Sequence, residues 1–389
     1  MTSREPAAEL RAVQQDLCAL VEDLDDESYR AQFHPDLSPV GWHLGHCAFI
    51  ENYWLREVVH GDDRLTAPLA HYYVPARSPK PQRGLGLPPK EKLLDSVRRQ
   101  QADNLRLLAQ AATRAPRHPL LQDDYLPLFL TQHHCQHLET INLARNQRAL
   151  KNGYDHFRAV APLISAPVRP AFVTITAGDY RIGGERPEAF DNELPAHCVN
   201  ARAFGIAARP VSNAEFLRFI EDDGYKVRAH WSEAGWRWRQ HSGCQHPKHW
   251  RQNGRGHWLA IDQRGAFELP PDGPVCGISY HEAQAFAAYA GARLPHEYEW
   301  EIACRLGALQ DTGHVWEWCD NAFHPYEGFR PFPYDEYSLP WFDGDHYTLR
   351  GGSAFTRPAV RRASFRNFYT PDKRHIFAGL RLASSSALG

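Results

Sequence analysis

Residues 132–141, QHHCQHLETI, gather three imidazoles, a thiol and a carboxylate in ten positions. On a helix, His133 and His137 are one turn apart and share a face. That is the spacing by which two helical histidines grip one metal ion, as in HExxH zinc sites. Here the residue after His133 is His134, so the glutamate base of a zinc protease is absent. His134 is three residues from His137 and competes for the same face. Glu139 lies two beyond His137 and points to another side. A third ligand must come from another helix, and GWHLGH, residues 41–46, offers His43 and His46. Three neutral imidazoles with open positions suit Fe(II), Zn or Cu, and the spacing does not choose among them. The competing reading is a set of core histidines hydrogen-bonded to neighbours. The second histidine pair on a neighbouring helix weighs against it.

These residues need helices to hold them, and residues 1 to about 155 read as helical. Leu10, Val13, Leu17, Leu20, Val21 and Leu24 recur at three- and four-residue spacing, which marks one buried face. A second helix starts at Ser38-Pro39, with serine as N-cap and proline at the first helical position. It carries Trp42, His46, Phe49, Ile50 and Tyr53. A third runs from Pro89 through Leu93, Leu94, Val97, Leu105 and Leu108. The fourth spans about 119–150, kinked or restarted near Pro127. Four such helices make a bundle, whose core commonly houses metals. Residues 61–88, with HYYVPARSPKPQRGLGLP inside them, show no helix or strand pattern. They read as a functional loop, a linker or a solvated basic loop carrying Arg77, Lys80 and Arg83 beside Tyr72 and Tyr73.

Residues 165–389 have another texture, holding nine of the eleven tryptophans. Short strand-like pieces (FVTI, YRIGG, HCVNA, FGIA, TLRGG, AGLRLA) alternate with two helices, about 212–222 and 280–306, the latter broken at Pro295. This is an irregular α+β domain and not a doubly wound sheet. The proline-rich junction HFRAVAPLISAPVRPAF supplies a linker, residues 156–168. A chain of 389 residues is expected to hold roughly two or three domains. A net charge of −2 argues against nucleic acid or an anionic membrane as the main partner. No apolar run is long enough to span a bilayer, and the polar N-terminus lacks a signal-peptide core, which points to the cytoplasm. The eight cysteines form no CxxC pair and read as reduced, mostly buried thiols.

Taken together, the motifs resemble the sulfoxide synthases of ergothioneine biosynthesis. WHLGH followed by aromatics and Glu51 looks like the first histidine motif of their DinB-like domain, and QHHCQHLET resembles their HxxQHxET motif. VWEWCDNAFHPYEGF, YTLRGGSAF, ASFRNFY and IFAGLRLA resemble their second domain. The resemblance covers nearly the whole chain in the right order. It implies an N-terminal DinB-like four-helix bundle (1–155), the linker, and a formylglycine-generating-enzyme-like, C-type-lectin-like domain (169–389). It also implies Fe(II) held by His46, His133 and His137, with His43 and His134 supporting. The reaction implied joins a chalcogen to C2 of the imidazole of hercynine, the trimethylammonium betaine of histidine, with O2 as cosubstrate. By the same resemblance Gln136 attends the substrate imidazole and Asn367 its carboxylate. Phe368 and Tyr326 then offer aromatic faces to the quaternary ammonium, with core packing as the alternative for both. The paired cysteines and copper of formylglycine-generating enzymes are not implied, since RGGSAFTRPAVRRASFRN holds no cysteine.

Three positions depart from the pattern of the mycobacterial-type enzymes, all toward the chalcogen donor. Phe323 stands where those enzymes carry a proton-delivering tyrosine, and a phenyl ring has no proton to give. Tyr369 stands in place of an acid that grips the donor's amine. Arg77 is kept, but the second arginine is replaced by Lys80, which lacks bidentate geometry. These losses point away from γ-glutamylcysteine and toward a selenosugar, the donor of the selenoneine synthase branch. A synthase using cysteine or γ-glutamylcysteine is the alternative. Two other classes stay open: a zinc-dependent DinB-type thiol transferase, and a non-catalytic lectin-like binding module.

Overall fold

The computed structural model describes residues 5–115, 117–151, 157 and 161–385. The chain divides into two compact units, Met1–Asn152 with Arg186–Glu188, and Gly153–Glu185 with Ala189–Gly389. Part of the expected linker, residues 156 and 158–160, lies outside the described residues. Its C-terminal part carries no helix or strand, yet Ala166 N–H donates to the carbonyl of Ala214 at 3.0 Å.

The first unit is helical. Its elements are α1 (Pro6–Glu22), α2 (Asp26–Arg30), α3 (Val40–Glu51), α4 (Ala70–Tyr73), α5 (Lys90–Arg114) and α6 (Tyr125–Lys151). Helix α1 begins with proline and buries Leu10, Val13, Leu17 and Val21, the stripe expected from their spacing. It packs on α3, α5 and α6, and α3 packs on α5 and α6, so the long helices share one core. Gly41 and Gly45 let the rings of Tyr29 and Tyr73 press against α3, where a Cβ would collide with either ring.

Three expectations for this unit are corrected. Ser38 does not cap α3: Pro39 is the N-cap residue, and the Ser38 hydroxyl instead accepts from Arg83 Nη1 at 2.6 Å. The fourth helix does begin anew near Pro127, at Tyr125, but the break lies at Gln122–Asp123 and not at the proline, because Gln122 is extended and Asp123 has φ 51°. Pro127 sits in the first turn of α6, where its missing N–H has no intrahelical acceptor to lose. Residues 61–88 are not featureless: α4 is followed by 3₁₀ turns at Pro75–Arg77 and Lys80–Gln82. Helix α3 also runs on as a π-helical segment, Asn52–Val58, a form common beside functional sites.

The second unit mixes short sheets and helices. In chain order it contains β1 (Phe172–Ile175), β2 (Gly178–Ile182), β3 (His197–Ala201), β4 (Phe204–Ala207), α7 (Asn213–Glu221), α8 (Glu233–Ser242), β5 (Trp250–Gln252), β6 (Trp258–Asp262) and β7 (Gly265–Glu268). There follow α9 (Tyr280–Tyr289), α10 (Glu297–Arg305), β8 (Trp316–Ala322), β9 (Tyr347–Arg350), β10 (Asn367–Tyr369), β11 (Ala378–Gly379) and β12 (Ala383–Ser384). The sheets run β1-β4-β12, β2-β3, β5-β6-β7 and β10-β9-β8-β11, antiparallel except where β11 meets β8. The pieces FVTI, HCVNA and FGIA are strands as expected, and the helical stretch 280–306 splits into α9 and α10 ahead of Glu297. Helix α8 and the sheet β5-β6-β7 were not foreseen. Only Gly235 of α8 is buried, so that helix has no apolar stripe to read.

Buried ion pairs tie the irregular segments together. Glu297 on α10 accepts from both Arg350 and Arg366, and Glu317 accepts from Arg381 and from the Trp300 indole. All of these side chains are fully enclosed. Burying such a charge is tolerated only with its partner in place.

Candidate metal centre

In the bundle, α3 supplies His46 while α6 supplies His133 and His137. Their ring centres lie 5.3 Å (His46–His133), 4.8 Å (His46–His137) and 4.5 Å (His133–His137) apart. One nitrogen from each falls within 4.8 Å of the others, close enough for a single ion. His46 and His133 are buried and His137 is half-buried.

Each ring has its Nδ1 engaged. His46 Nδ1–H donates to the Tyr73 carbonyl at 2.8 Å, His133 Nδ1 meets His134 Nδ1 at 3.2 Å, and His137 Nδ1 meets His43 Nδ1 at 2.9 Å. Burial pushes His46 down to about 4 and His43 down to about 3, and it holds His133 and His137 well below the ordinary imidazole range. Neighbouring imidazoles add to the depression. The rings are therefore neutral at physiological pH, the form that ligates metal. A buried, uncharged N₃ set fits Fe(II), Zn or Cu and leaves positions for substrates. Cys47 also approaches His133 and His134, but burial raises its thiol well above the ordinary value, so it is not a ready thiolate ligand. His134 is not free to compete for the shared face: its Nε2 is bound to Glu51 Oε1 at 2.7 Å.

Of the remaining expected residues in this unit, Gln136 lies on α6 beside His137, half-buried, and Arg77 and Lys80 lie exposed in the strap after α4. The strap's third basic residue behaves differently. Arg83 is buried and donates to Ser38 Oγ, the Ser78 carbonyl (2.8 Å) and the Pro75 carbonyl (3.0 Å). No spacing rule marks it, and sequence reasoning had grouped it with the solvated basic residues.

The second unit gathers Phe323, Tyr326 and Phe368 around Arg366. Phe323, just past β8, stacks on Phe368 at 4.3 Å and carries the Arg366 guanidinium at 4.6 Å. Arg366 also lies 4.2 Å from the Tyr326 ring, whose hydroxyl accepts from Arg350 Nη2 at 3.2 Å. Tyr326 thus has its hydroxyl and one ring face engaged by the protein's own arginines, which is the core-packing alternative. Asn367, Phe368 and Tyr369 form β10 and are half-buried, and the Asn367 carboxamide oxygen accepts from Phe368 N–H at 2.9 Å. Cys135 and Cys319 are buried thiols raised by burial, Cys135 to about 12.

The chain matches the DinB superfamily over residues 9–141 and the sulfatase-modifying factor enzyme 1-like domain over 161–312 and 305–386. Histidines in a DinB bundle followed by that domain define the class. The chain is 33% identical to the hercynine oxygenase of Mycobacterium tuberculosis, an alignment covering 93% of this chain and 94% of that one. It is 31% identical to the hercynine oxygenase of Mycolicibacterium smegmatis, over 98% of this chain and 99% of that one. A match at 27% identity, over 51% of this chain and 28% of the relative, is to ergothioneine biosynthesis protein 1 of Schizosaccharomyces pombe. The chain therefore belongs to the hercynine oxygenase family. No helix among the described residues is long and apolar enough to cross a membrane.

Proposed function

We propose that this protein is a nonheme Fe(II), O2-dependent enzyme that joins a chalcogen to C2 of the hercynine imidazole, acting in the cytoplasm. The observation that carries the reading is the triad of neutral imidazoles, His46, His133 and His137, in a member of the hercynine oxygenase family. Bound by these three residues, Fe(II) supplies the activation of O2 and a site for the chalcogen. The protein's own residues do the rest. The buried helices exclude bulk water from the imidazoles. Gln136, adjacent to His137, offers an amide to the substrate imidazole. Asn367 offers one to its carboxylate, and Phe368 offers an aromatic face to its trimethylammonium group, which has no N–H to donate. Tyr326 contributes by holding Arg350 and Arg366 more directly than by facing the substrate.

The donor we assign is a selenosugar, making the product selenoneine-like through C–Se bond formation. Phe323, Lys80 and Tyr369 carry this assignment, since Phe323 has no proton to give, Tyr369 lacks an acid's charge and Lys80 keeps its charge but not the bidentate fork suited to a carboxylate. The second reading is C–S bond formation with cysteine or γ-glutamylcysteine, favoured by the names of the relatives. Anaerobic Fe(II)-loaded enzyme should be given hercynine and O2 with a selenosugar, cysteine and γ-glutamylcysteine in parallel, with products read by mass spectrometry. A hercynine–selenium adduct from the selenosugar is the expected result. A sulfoxide from either thiol alone would establish the second reading, and no hercynine product with any donor would end both.

A further inference from the structure

We infer that Glu51, acting through His134, fixes which nitrogen of His133 is free to bind metal. The inference deepens the metal-centre reading and rests on it. His133, His134 and Glu51 form a line: Nδ1 to Nδ1 at 3.2 Å, then Nε2 to Oε1 at 2.7 Å. All three are buried, with His134 at 0% and Glu51 at 1% exposure.

The hydrogen positions follow by elimination. A carboxylate only accepts, so the proton between His134 and Glu51 belongs to His134 Nε2. A His134 that carries this one ring proton has its lone pair on Nδ1. That lone pair accepts from His133 Nδ1–H, which leaves the lone pair of His133 on Nε2. His46 reaches the same state directly, because the Tyr73 carbonyl can only accept from its Nδ1–H. Metal-binding histidines commonly donate their second N–H to a carboxylate or carbonyl. Here a complete imidazole is interposed, and it extends the reach of Glu51 from α3 to α6.

The carboxylate is itself anchored. Gln14 Nε2 on α1 donates to Oε1 at 2.9 Å, and Asn104 Nδ2 on α5 donates to Oε2 at 3.2 Å. The third ring lacks such an anchor: His43, facing His137, has no hydrogen-bond partner at its buried Nε2 among the described residues. Glu51 and His134 are therefore positioning residues, and His133 is the imidazole whose tautomer they set.

The test titrates Co(II) alone into metal-free full-length protein, reading affinity and the Co(II) absorption bands. His134→Phe and Glu51→Ala should each weaken binding about 10- to 100-fold and shift the bands. Glu51→Gln, whose amide oxygen still accepts, should recover most of the loss. Leu94→Ala, a buried change in α5 ten residues and almost three turns from Asn104, should lower Tm and leave affinity and bands intact. His134→Gln keeps a polar group in the cavity and replaces the phenylalanine variant if that one does not fold; about a tenfold loss is expected. Wild-type affinity and bands in the His134 and Glu51→Ala variants, with binding lost in His133→Ala, would overturn the relay alone. Wild-type affinity in His133→Ala would overturn the metal centre itself.

Discussion

The guanidinium carbon of Arg83 stands 3.9 Å over the centre of the Trp42 ring, and Trp42 stacks in turn on His46 at 4.7 Å with 10° between the planes. The strap after α4 thus reaches His46 through a cation–aromatic–imidazole column. The backbone of α4 reinforces the column: Trp42 Nε1 donates to the Tyr72 carbonyl at 3.0 Å, and His46 donates to the next carbonyl, that of Tyr73. Arg83→Met removes three charge-assisted hydrogen bonds; the Pro75 carbonyl keeps the Ser78 N–H at 3.4 Å, while the Ser38 hydroxyl and the Ser78 carbonyl lose the arginine. The expected cost is about 2–4 kcal/mol of unfolding free energy, measured by chemical denaturation, with weaker metal binding. Unchanged stability and metal affinity would make the column dispensable.

His46, His133 and His137 are expected to act as one unit. Replacing any of them with alanine should abolish stoichiometric Fe(II) binding, read by metal analysis, and turnover with it. Turnover retained in one variant would remove that residue from the ligand set.

Phe323 is buried, with Phe368 stacked on it and the Arg366 guanidinium over its ring. Phe323→Tyr restores a proton donor to the position. The ratio of products from hercynine should change more than the KM for hercynine does. An unchanged product ratio would place this ring away from the reacting atoms.

His249 provides a pH signature in the second unit. Burial, aided by Arg374, Arg251 and Lys248, lowers it from the ordinary imidazole value to about 3. Below pH 6.5 the unfolded chain takes up a proton that the native state refuses until about pH 3. Its contribution to stability is therefore complete above pH 6.5 and shrinks as pH falls, by about 2 kcal/mol at pH 5. His249→Gln cannot titrate, so its Tm should fall less between pH 7 and pH 5 than that of the parent protein. Equal falls would remove His249 from the acid response.

Much of the bundle was legible because helices advertise themselves locally. The apolar spacing in α1 and the four-residue interval between His133 and His137 are properties of contiguous sequence, and a helix converts both into faces. The motif order carried the family and the α+β class in the same way, and the strands FVTI, HCVNA and FGIA were visible as short strand-like pieces. Helix α8 escaped because only Gly235 of it is buried, which leaves no apolar stripe to read.

What the sequence alone determined was the supply of chemistry: which histidines share a turn and which domains follow one another. Tertiary structure decided the use made of those groups. Arg83 resembled Arg77 and Lys80 as one more basic residue of a polar loop, yet its burial against Trp42 turns it into a brace. Ser38 looked like a cap and became an acceptor for that brace. His134 looked like a competing ligand and is instead drawn to Glu51, 83 residues away. The physical reason is common to all three. A buried polar group must find its partner wherever the fold brings one within about 3 Å, and sequence separation does not encode that distance.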